Sequence, residues 1–191
     1  MGRIVACTNV TLDGVMQSPG RPDEDVRDGF THGGWGAPYA AMPHVGHVFA
    51  KADALLLGRR TYMDFATVWP ARPDSPFTPW LTRILKYVAS RTLRAPLPWE
   101  NSTLLQGDVG DAVAQLKRGT ARDILVMGSG ELLQSLMRDD LVDEYVLLIH
   151  PLVLGSGRRL FVSPGPDASL RLVSSSTTPE GVLVATYEPK R

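Results

Sequence analysis

Residues 54–61 read ALLLGRRT, an apolar run that ends in a turn of glycine and arginine and opens onto a helix-like stretch. The same order recurs at residues 86–92, which read KYVASRT, and at residues 124–130, which read ILVMGSG. Short apolar runs that alternate with helical segments predict a parallel β-sheet. Because the carboxyl ends of parallel strands share one edge of the sheet, we expect the three turns to line a single crevice.

The residue types in these turns are suited to binding phosphate. Glycine lets the backbone approach a ligand closely, and a helix N-terminus offers unpaired N–H groups and partial positive charge. Arg59, Arg60 and Arg91 add full positive charges at the same edge. The turns together predict a site for a phosphorylated ligand, in particular a dinucleotide with more than one phosphate. The alternative interpretation is ordinary turn glycines and solvated arginines.

The rest of the chain alternates strand-like and helix-like segments and ends in two strands. A turn-forming stretch at residues 177–181 separates residues 170–174 from residues 182–187, which predicts an antiparallel hairpin. Further strands are predicted at 3–10, 102–106 and 144–150, and helices at 44–51, 62–66, 78–85, 108–117 and 131–138. We therefore expect one domain over residues 1–191, of the α/β class, with a mainly parallel central sheet and an antiparallel C-terminal hairpin.

Composition and charge argue against several classes of protein. The 191 residues carry 20 Lys and Arg against 20 Asp and Glu, whereas a general nucleic-acid binder would carry a basic excess. No apolar run is long enough to span a bilayer, and the N-terminal apolar stretch is too short for a secretory signal. Cys7 is the single cysteine, so no internal disulfide can form, and we expect it in the core. His44 and His47 lack a third ligand nearby, so no metal is expected. We expect a cytoplasmic protein without nucleic-acid or membrane partners.

The Gly128-Ser129-Gly130 turn invites comparison with the Rossmann dinucleotide-binding fingerprint. That fingerprint requires a third small residue three positions further on, where this chain has Leu133. The turn after the first predicted strand, Leu12-Asp13-Gly14, does not fit the pattern either. A Rossmann fold is therefore disfavoured.

The order and spacing of the motifs resemble the dihydrofolate reductase-like fold. The resemblance is closest to the reductase domain of the bacterial bifunctional riboflavin deaminase–reductase and its stand-alone relatives. It rests on residues 11–16 (TLDGVM), 52–62 (ADALLLGRRTY), 87–92 (YVASRT), 126–132 (VMGSGEL) and 150–161 (HPLVLGSGRRLF). These segments cover nearly the whole chain in the family's order. The resemblance implies a three-layer α/β fold and an NADPH-dependent reductase.

In that family the glycine-containing turns hold the phosphates of NADPH, which assigns roles by resemblance. Gly58, Arg59, Arg60 and Thr61 would hold one side of the cofactor, Ser90 and Arg91 would lie near the adenosine ribose, and Gly128, Ser129, Gly130, Glu131 and Leu132 would meet the pyrophosphate. The loop that contains Met16 would lie over the nicotinamide. Arg59 and Arg91 suit a 2′-phosphate because a guanidinium pairs with phosphate through two hydrogen bonds.

The substrate region departs from the family pattern in two places. Dihydrofolate reductases carry an acidic residue on the helix before the first glycine–arginine strand, but residues 29–52 contain no Asp or Glu. Riboflavin-pathway reductases usually carry Asn-Pro after the next helix begins, whereas residues 65–70 read FATVWP. The resemblance thus implies hydride transfer to a small planar heterocycle and leaves two types open. One is a pterin, and the other is a 5-amino-6-(5-phosphoribosylamino)uracil-like compound.

Four residues are candidates for the substrate site. Trp35 and Tyr39 lie in a long loop and would supply aromatic walls for a planar ring, although core packing explains each equally well. Asp13 and Thr8 are candidates, along with water, for delivering the proton that accompanies hydride. The alternative for Asp13 is a role within its own turn. His150 follows an apolar strand, which favours a hydrogen-bonded core histidine.

Two functions share all of these features. One is an NADPH-dependent reductase that acts on a small-molecule substrate. The other is a non-catalytic dimeric module that binds NADPH, such as a sensor. We expect a homodimer, and turnover of NADPH separates the two functions.

Overall fold

A computed structural model describes residues 1–190, so the end of the predicted domain, Arg191, lies outside the described residues. Strands and helices alternate along the chain. The strands are β1 (Ile4–Thr11), β2 (Ala52–Gly58), β3 (Leu85–Ala89), β4 (Ser102–Leu104), β5 (Asp123–Met127), β6 (Glu144–His150), β7 (Leu170–Thr177) and β8 (Leu183–Pro189). The α-helices are α1 (Gly46–Lys51), α2 (Arg59–Val68), α3 (Thr78–Arg83), α4 (Val109–Gly119) and α5 (Gly130–Arg138).

The strands form one sheet in the order β4-β3-β2-β5-β1-β6-β8-β7. The pairs among β1 to β6 are parallel, and β8 runs antiparallel to both β6 and β7. The predicted class, mainly parallel with an antiparallel C-terminal hairpin, is confirmed. Because β3, β2 and β5 are neighbours in the sheet, the turns that follow them lie side by side at one edge.

Apolar side chains pack on both faces of the sheet, which gives three layers. On the first face, α1, α2 and α3 contribute Phe49, Tyr62 and Leu81 to the core. On the second face, α4 and α5 contribute Val113 and Leu133. The strands supply both faces by alternation. In β1, Val5 and Cys7 belong to the first face, while Ile4 and Ala6 belong to the second.

The element bounds differ in detail from those predicted. Helix α2 begins at Arg59 rather than at residue 62. Gly58, the last residue of β2, has an extended backbone (φ −73°, ψ 157°) and is the N-cap of α2, so no turn residues separate the strand from the helix. Strand β4 ends at Leu104, earlier than predicted. In the C-terminal hairpin, β7 extends to Thr177, so the loop spans residues 178–182.

Residues 18–39, which we call the strap, connect the loop after β1 to distant helices. Arg21 Nη2 lies 2.7 Å from Asp64 Oδ1 in α2, and Arg27 Nη1 lies 2.9 Å from Glu131 Oε1 in α5. Phe30 and Trp35 of the strap also pack with Val15 of the β1 loop in a small apolar cluster. The predicted long loop is thus an ordered segment fastened to both helices.

Within residues 1–190, no helix is long and apolar enough to cross a membrane. The His, Cys, Asp and Glu side chains of this part of the chain form no group that could hold a metal ion. His44 and His47 are exposed.

Candidate functional site at the carboxyl edge of the sheet

A cavity of about 1210 Å³ lies along the edge where β2, β3 and β5 end. It is lined by the three turns and by part of the strap. The lining contains every residue that the resemblance assigned to the cofactor: Gly58, Arg59, Arg60, Thr61, Ser90, Arg91, Gly128, Ser129, Gly130, Glu131, Leu132 and Met16. The structure therefore brings all of these residues together around one cavity.

Two helix N-termini open onto this cavity. The first residues of α2 and of α5 line it, and no side chain caps either helix. The backbone N–H groups of both first turns are therefore available to an anion. Before α5, Gly128 and Ser129 both have left-handed backbone angles, with φ of 54° and 55°. Consecutive residues of this kind form concave turns that suit anion binding.

Ser129 joins the two glycine-containing turns to each other. Its hydroxyl oxygen accepts a hydrogen bond from the Gly58 backbone N–H at 3.0 Å and donates one to the Met127 carbonyl at 3.0 Å. Its own backbone N–H donates to Thr61 Oγ1 at 3.1 Å. The turns after β2 and β5 are therefore held as one unit, so a ligand that binds one turn meets the other at a fixed spacing.

Arginines supply positive charge around the turns. Arg59, Arg60 and Arg91 are exposed, line the cavity and form no ion pair within residues 1–190. An unpaired guanidinium keeps all its donors free for a phosphate. Ser90 also lines the cavity, but its hydroxyl is used to accept hydrogen bonds from the Thr92 and Leu93 backbone N–H groups.

Met16 and Gly130 are in close contact where the β1 loop meets α5. A Cβ atom at Gly130 would lie only 2.7 Å from Met16 Sδ, so a larger residue there would force the methionine to move. Met16 is buried and lines the cavity beside the first turn of α5. Glycine at position 130 thus allows the β1 loop to close against the predicted pyrophosphate turn.

The strap supplies one side of the cavity with paired charges. Arg21 forms a two-point contact with Asp64, and Arg27 forms one with Asp25 in addition to its contact with Glu131. The Arg27 guanidinium lowers the pKa of the Asp25 carboxyl, whereas burial raises the pKa of the Glu24 carboxyl. Charge on this side is largely compensated, in contrast to the unpaired arginines of the turns.

The other end of the cavity is aromatic. Five rings that all line it form a continuous chain of contacts, in the order Trp80, Phe49, Phe77, Trp69 and Phe65. Their successive centroid distances are 5.2, 5.7, 6.3 and 5.9 Å. We call this set the aromatic wall. Such a wall provides the apolar surface against which a planar ring can stack.

Three consecutive residues of β1 form part of the lining. Thr8 and Cys7 are buried, Asn9 is partly exposed, and all three contact the cavity. Burial raises the pKa of the Cys7 thiol to about 12, so the thiol stays protonated at neutral pH. Because alternate residues of a strand face opposite sides, Cys7 and Asn9 share the face of the aromatic wall, and Thr8 faces α5.

The structure does not place Trp35 and Tyr39 in the cavity, which corrects their predicted role as pocket walls. Neither residue lines it. Both pack edge-on against the buried His150 ring, with centroid distances of 5.0 Å for Trp35 and 5.1 Å for Tyr39. The Trp35 indole N–H donates to the Gln17 carbonyl at 2.7 Å, which fixes the ring inside the strap. Core packing, the alternative interpretation, is therefore correct for Trp35.

Asp13 also lies outside the cavity lining. Its carboxylate accepts hydrogen bonds from Thr11 Oγ1 at 2.6 Å and from the Leu154 and Gly155 backbone N–H groups at 3.2 and 2.9 Å. These bonds, led by the one from Thr11, lower the pKa of Asp13. Its carboxylate joins the β1 turn to the loop after β6, which agrees with the alternative role within its own turn, and proton donation by Asp13 stays an untested prediction. Thr8 remains in the lining.

The aromatic wall was missed by sequence reasoning, although its spacing was visible. Phe65 of α2 and Trp69, the C-cap of that helix, are four residues apart, and Phe77, the N-cap of α3, is three residues before Trp80. Such spacings place side chains on one helix face. The sequence does not show that the aromatic residues of α2 and those of α3 line the same cavity, because this depends on how the two helices pack.

Comparison with known proteins agrees with this architecture. A family model described as the RibD C-terminal domain matches residues 3–184. The uncharacterized protein YyaP of Bacillus subtilis (strain 168) is 28% identical over 194 residues, which cover 97% of this chain and 94% of YyaP.

Solved structures share the fold at low sequence identity. A putative riboflavin biosynthesis protein from Shewanella sp. PV-4 superposes with a TM-score of 0.71 at 22% identity, covering 99% of both chains. Dihydrofolate reductase from Enterococcus faecalis, in complex with NADP(H) and RAB-propyl, superposes with a TM-score of 0.61 at 13% identity, covering 100% of this chain and 98% of that one. The family match extends over nearly the whole chain and coincides with the turns that line the cavity, so the chain belongs to the RibD C-terminal domain family and has the dihydrofolate reductase-like fold.

Proposed function

We propose that this protein is an NADPH-dependent reductase that transfers hydride to a small planar heterocycle of the pterin or riboflavin-pathway type. The observation that carries the proposal is the convergence of two uncapped helix N-termini and three unpaired arginines on one cavity. Family membership supports the same function. The NADP(H) named with the dihydrofolate reductase structure supports the choice of cofactor.

The residues present fit a dinucleotide with an additional phosphate. The first turns of α2 and α5 would hold the pyrophosphate through backbone N–H groups, and Ser129 keeps those turns at a fixed spacing. Arg59 and Arg91 would pair with the 2′-phosphate. When bound, NADPH supplies the hydride, and one proton completes the two-electron reduction of the substrate. Met16, which packs against Gly130 at the start of α5, would contact the bound cofactor on that side of the cavity.

The aromatic wall would orient the substrate. A planar ring stacked on the partly exposed Trp80 would be held in a fixed plane and shielded from water, which favours transfer over a short distance. For the proton, the candidates are water, the Thr8 hydroxyl, which lines the cavity, and Asp13, which lies outside the lining. The strap, joined to α2 and α5 by Arg21 and Arg27, would line part of the same cavity.

Two measurements test the proposal. The first is calorimetric titration with NADPH and NADH, for which we expect tighter binding of NADPH. The second is the decrease in NADPH absorbance with a panel of pterins, phosphoribosylaminouracils and related planar heterocycles. Binding followed by turnover supports the reductase. Tight NADPH binding without turnover of any acceptor would instead identify a non-catalytic NADPH-binding module, and failure to bind either cofactor would contradict both functions.

A further inference from the structure

Asn9 provides a polar group on an otherwise apolar part of the cavity surface. It stands on β1, two residues after Cys7 and paired in register with Leu148 of β6. The apolar cluster on that face of the sheet includes Phe49 and Leu148, packs against Met42, and supplies these three residues to the same lining. A polar side chain among such groups is the kind that fixes the orientation of a bound ligand.

His150 holds the Asn9 side chain from behind. The His150 Nε2 atom lies 2.9 Å from Asn9 Oδ1, and the ring is fully buried between Trp35 and Tyr39. A Cβ atom at Gly36 would come within 3.6 Å of His150 Cε1, so the strap backbone also packs against the ring. Burial lowers the pKa of His150 to about 4, so the ring is neutral at physiological pH.

The tautomer of His150 follows from its second nitrogen. The Nδ1 atom is buried and has no hydrogen-bond partner within residues 1–190. A buried N–H without a partner is rarer in proteins than a buried acceptor without one. The proton therefore belongs on Nε2, which donates to Asn9 Oδ1, and Nδ1 keeps an unused lone pair.

The hydrogen bond from His150 determines which atom of the Asn9 side-chain amide is available to bind a ligand. Its oxygen is occupied by His150, whereas its NH₂ group forms no hydrogen bond within residues 1–190 and is not among the fully buried unpartnered atoms. Since Asn9 lines the cavity, the NH₂ group is the part available to a ligand. The cavity thus offers a hydrogen-bond donor on the same face of the sheet as the aromatic wall.

We propose that Asn9 anchors the substrate by donating a hydrogen bond to a carbonyl oxygen of its planar ring, and that His150 is a positioning residue that fixes the Asn9 amide in the donating orientation. The proposal rests on the proposed function, because it specifies the substrate class of the same cavity. That class is a planar ring with a carbonyl acceptor at the edge that meets β1. A ring that presents an N–H at this edge would face a donor and be rejected.

The binding experiment uses lumazine, a fluorescent planar heterocycle with two carbonyl groups, and naphthalene, which is planar without an acceptor. Each is titrated into the full chain with and without saturating NADP⁺. We expect lumazine to bind more tightly than naphthalene. Asn9→Leu should weaken lumazine binding about tenfold, the upper range for one neutral hydrogen bond, and leave naphthalene and NADPH binding within about twofold.

The positioning role has its own matched pair of variants. His150→Gln retains an N–H donor that can reach Asn9, so lumazine binding should stay within about threefold of the parent protein. His150→Phe removes the donor while keeping a ring, and it should weaken lumazine binding about as much as Asn9→Leu does. If the two His150 variants bind lumazine equally, His150 does not position Asn9.

A measurement on the unaltered protein guards against variants that fail to fold. Nitrogen-15 NMR of the His150 ring should show a protonated Nε2 and an unprotonated Nδ1 from pH 6 to pH 8. The opposite tautomer would overturn the proposed amide orientation. Equal affinity of the parent protein for lumazine and naphthalene, or absence of binding by both, would overturn the carbonyl-acceptor class. If the parent protein binds lumazine but not NADPH, the proposed function is contradicted. The effect of Asn9→Leu can still be measured in that case, from the lumazine titrations without NADP⁺.

Discussion

Arg91 is an exposed guanidinium at the end of β3 that lines the cavity and makes no ion pair within residues 1–190. If it pairs with the 2′-phosphate, Arg91→Ala should weaken NADPH binding by roughly 1.5–3 kcal/mol, the range for a charged hydrogen bond, and change NADH binding little. Calorimetric titration with both cofactors measures this difference. Arg94→Ala is the control, because Arg94 is exposed in the same loop but lies outside the cavity lining. Equal loss for NADPH and NADH would remove Arg91 from the 2′-phosphate.

His150 should make the free energy of unfolding depend on pH. Its pKa is lowered from 6.5 to about 4 in the folded protein by burial alone. The unfolded chain therefore gains a proton near pH 6.5 while the folded chain does not, so stability falls as pH drops from about 6.5 towards 4 and is unaffected above 7. A shift of this size corresponds to about 3 kcal/mol at most. Within residues 1–190, the side chains that contact the ring are those of Trp35, Tyr39 and Asn9, of which Tyr39 is titratable.

Urea unfolding of the parent protein and of His150→Gln at pH 7, 5 and 4 measures this contribution. The carboxylates titrate in both proteins, so the difference between the two curves isolates the histidine. We expect the parent protein to lose more stability than the variant on acidification. Parallel curves would show that His150 can be protonated without cost in the folded state.

At the level of single residues, sequence reasoning succeeded where the chemistry is local. Glycine and arginine in a turn after a strand have their role set by neighbouring residues, so Gly58 and Arg91 were placed correctly at the cavity. Trp35 and Tyr39 lie in a long loop whose path depends on ion pairs to residues far away in the chain, such as Arg21 with Asp64. Their packing on His150 was therefore not predictable from the sequence pattern.

The start of α5 and the β1 loop depend on each other through one contact. Gly130→Val should displace Met16, because a Cβ atom at that position would lie 2.7 Å from Met16 Sδ. We expect NADPH binding to become undetectable by calorimetry while the circular dichroism spectrum stays native. Gly119→Val, at the end of α4, is the control, since a Cβ there would meet nothing within 4 Å. Native affinity in Gly130→Val would exclude this turn from the phosphate site.

Elements with strong local signals were predicted well, and their ends less so. The helix predicted over residues 108–117 is present as α4, and the Asp108 carboxylate caps it by accepting hydrogen bonds from the Gly110 and Asp111 backbone N–H groups. The early start of α2 was missed because Arg59 and Arg60 follow Gly58 directly and were therefore assigned to the turn after β2. Only the backbone geometry of Gly58 shows that the helix begins at once.

The whole cavity argues against dihydrofolate as a substrate. The segment before β2 contributes Met42 and Phe49 to the lining and contains no acid, while Asp64 is engaged at two points by Arg21. Hydride addition to the pterin ring of dihydrofolate is helped by a free carboxylate that pairs with its amidine edge, and neither histidine nor methionine can supply those two acceptor oxygens. We predict negligible dihydrofolate reduction at saturating NADPH in a steady-state assay. Turnover in the usual enzyme range of roughly 1–10³ s⁻¹ would show that a carboxylate reaches the pterin site.

The exposed edge of the sheet is the place where we propose that two copies of the chain associate. Strand β7 is the last strand of the sheet, and Leu172 and Val173 on it are 51% and 46% exposed. The unpaired backbone N–H and C=O groups of such an edge strand pair readily with a second strand. When β7 of one copy pairs with β7 of another, the edge strands of both copies are satisfied symmetrically. Light scattering should show a homodimer for the parent protein and a monomer for Val173→Lys. Val153→Lys, at an exposed loop position, should remain dimeric. A monomeric parent protein would contradict this arrangement.

The position of Cys7 has a practical consequence for studying the strap. As the only cysteine, buried on β1 with a pKa of about 12, it is almost entirely unreactive towards maleimide dyes at neutral pH. The natural chain is therefore effectively thiol-free on its surface. Cysteines introduced at one exposed position of the strap and one exposed position of α4 can be labelled selectively with a donor and an acceptor fluorophore. Energy transfer between them then reports how far the strap moves when a ligand binds, without any change to the cavity.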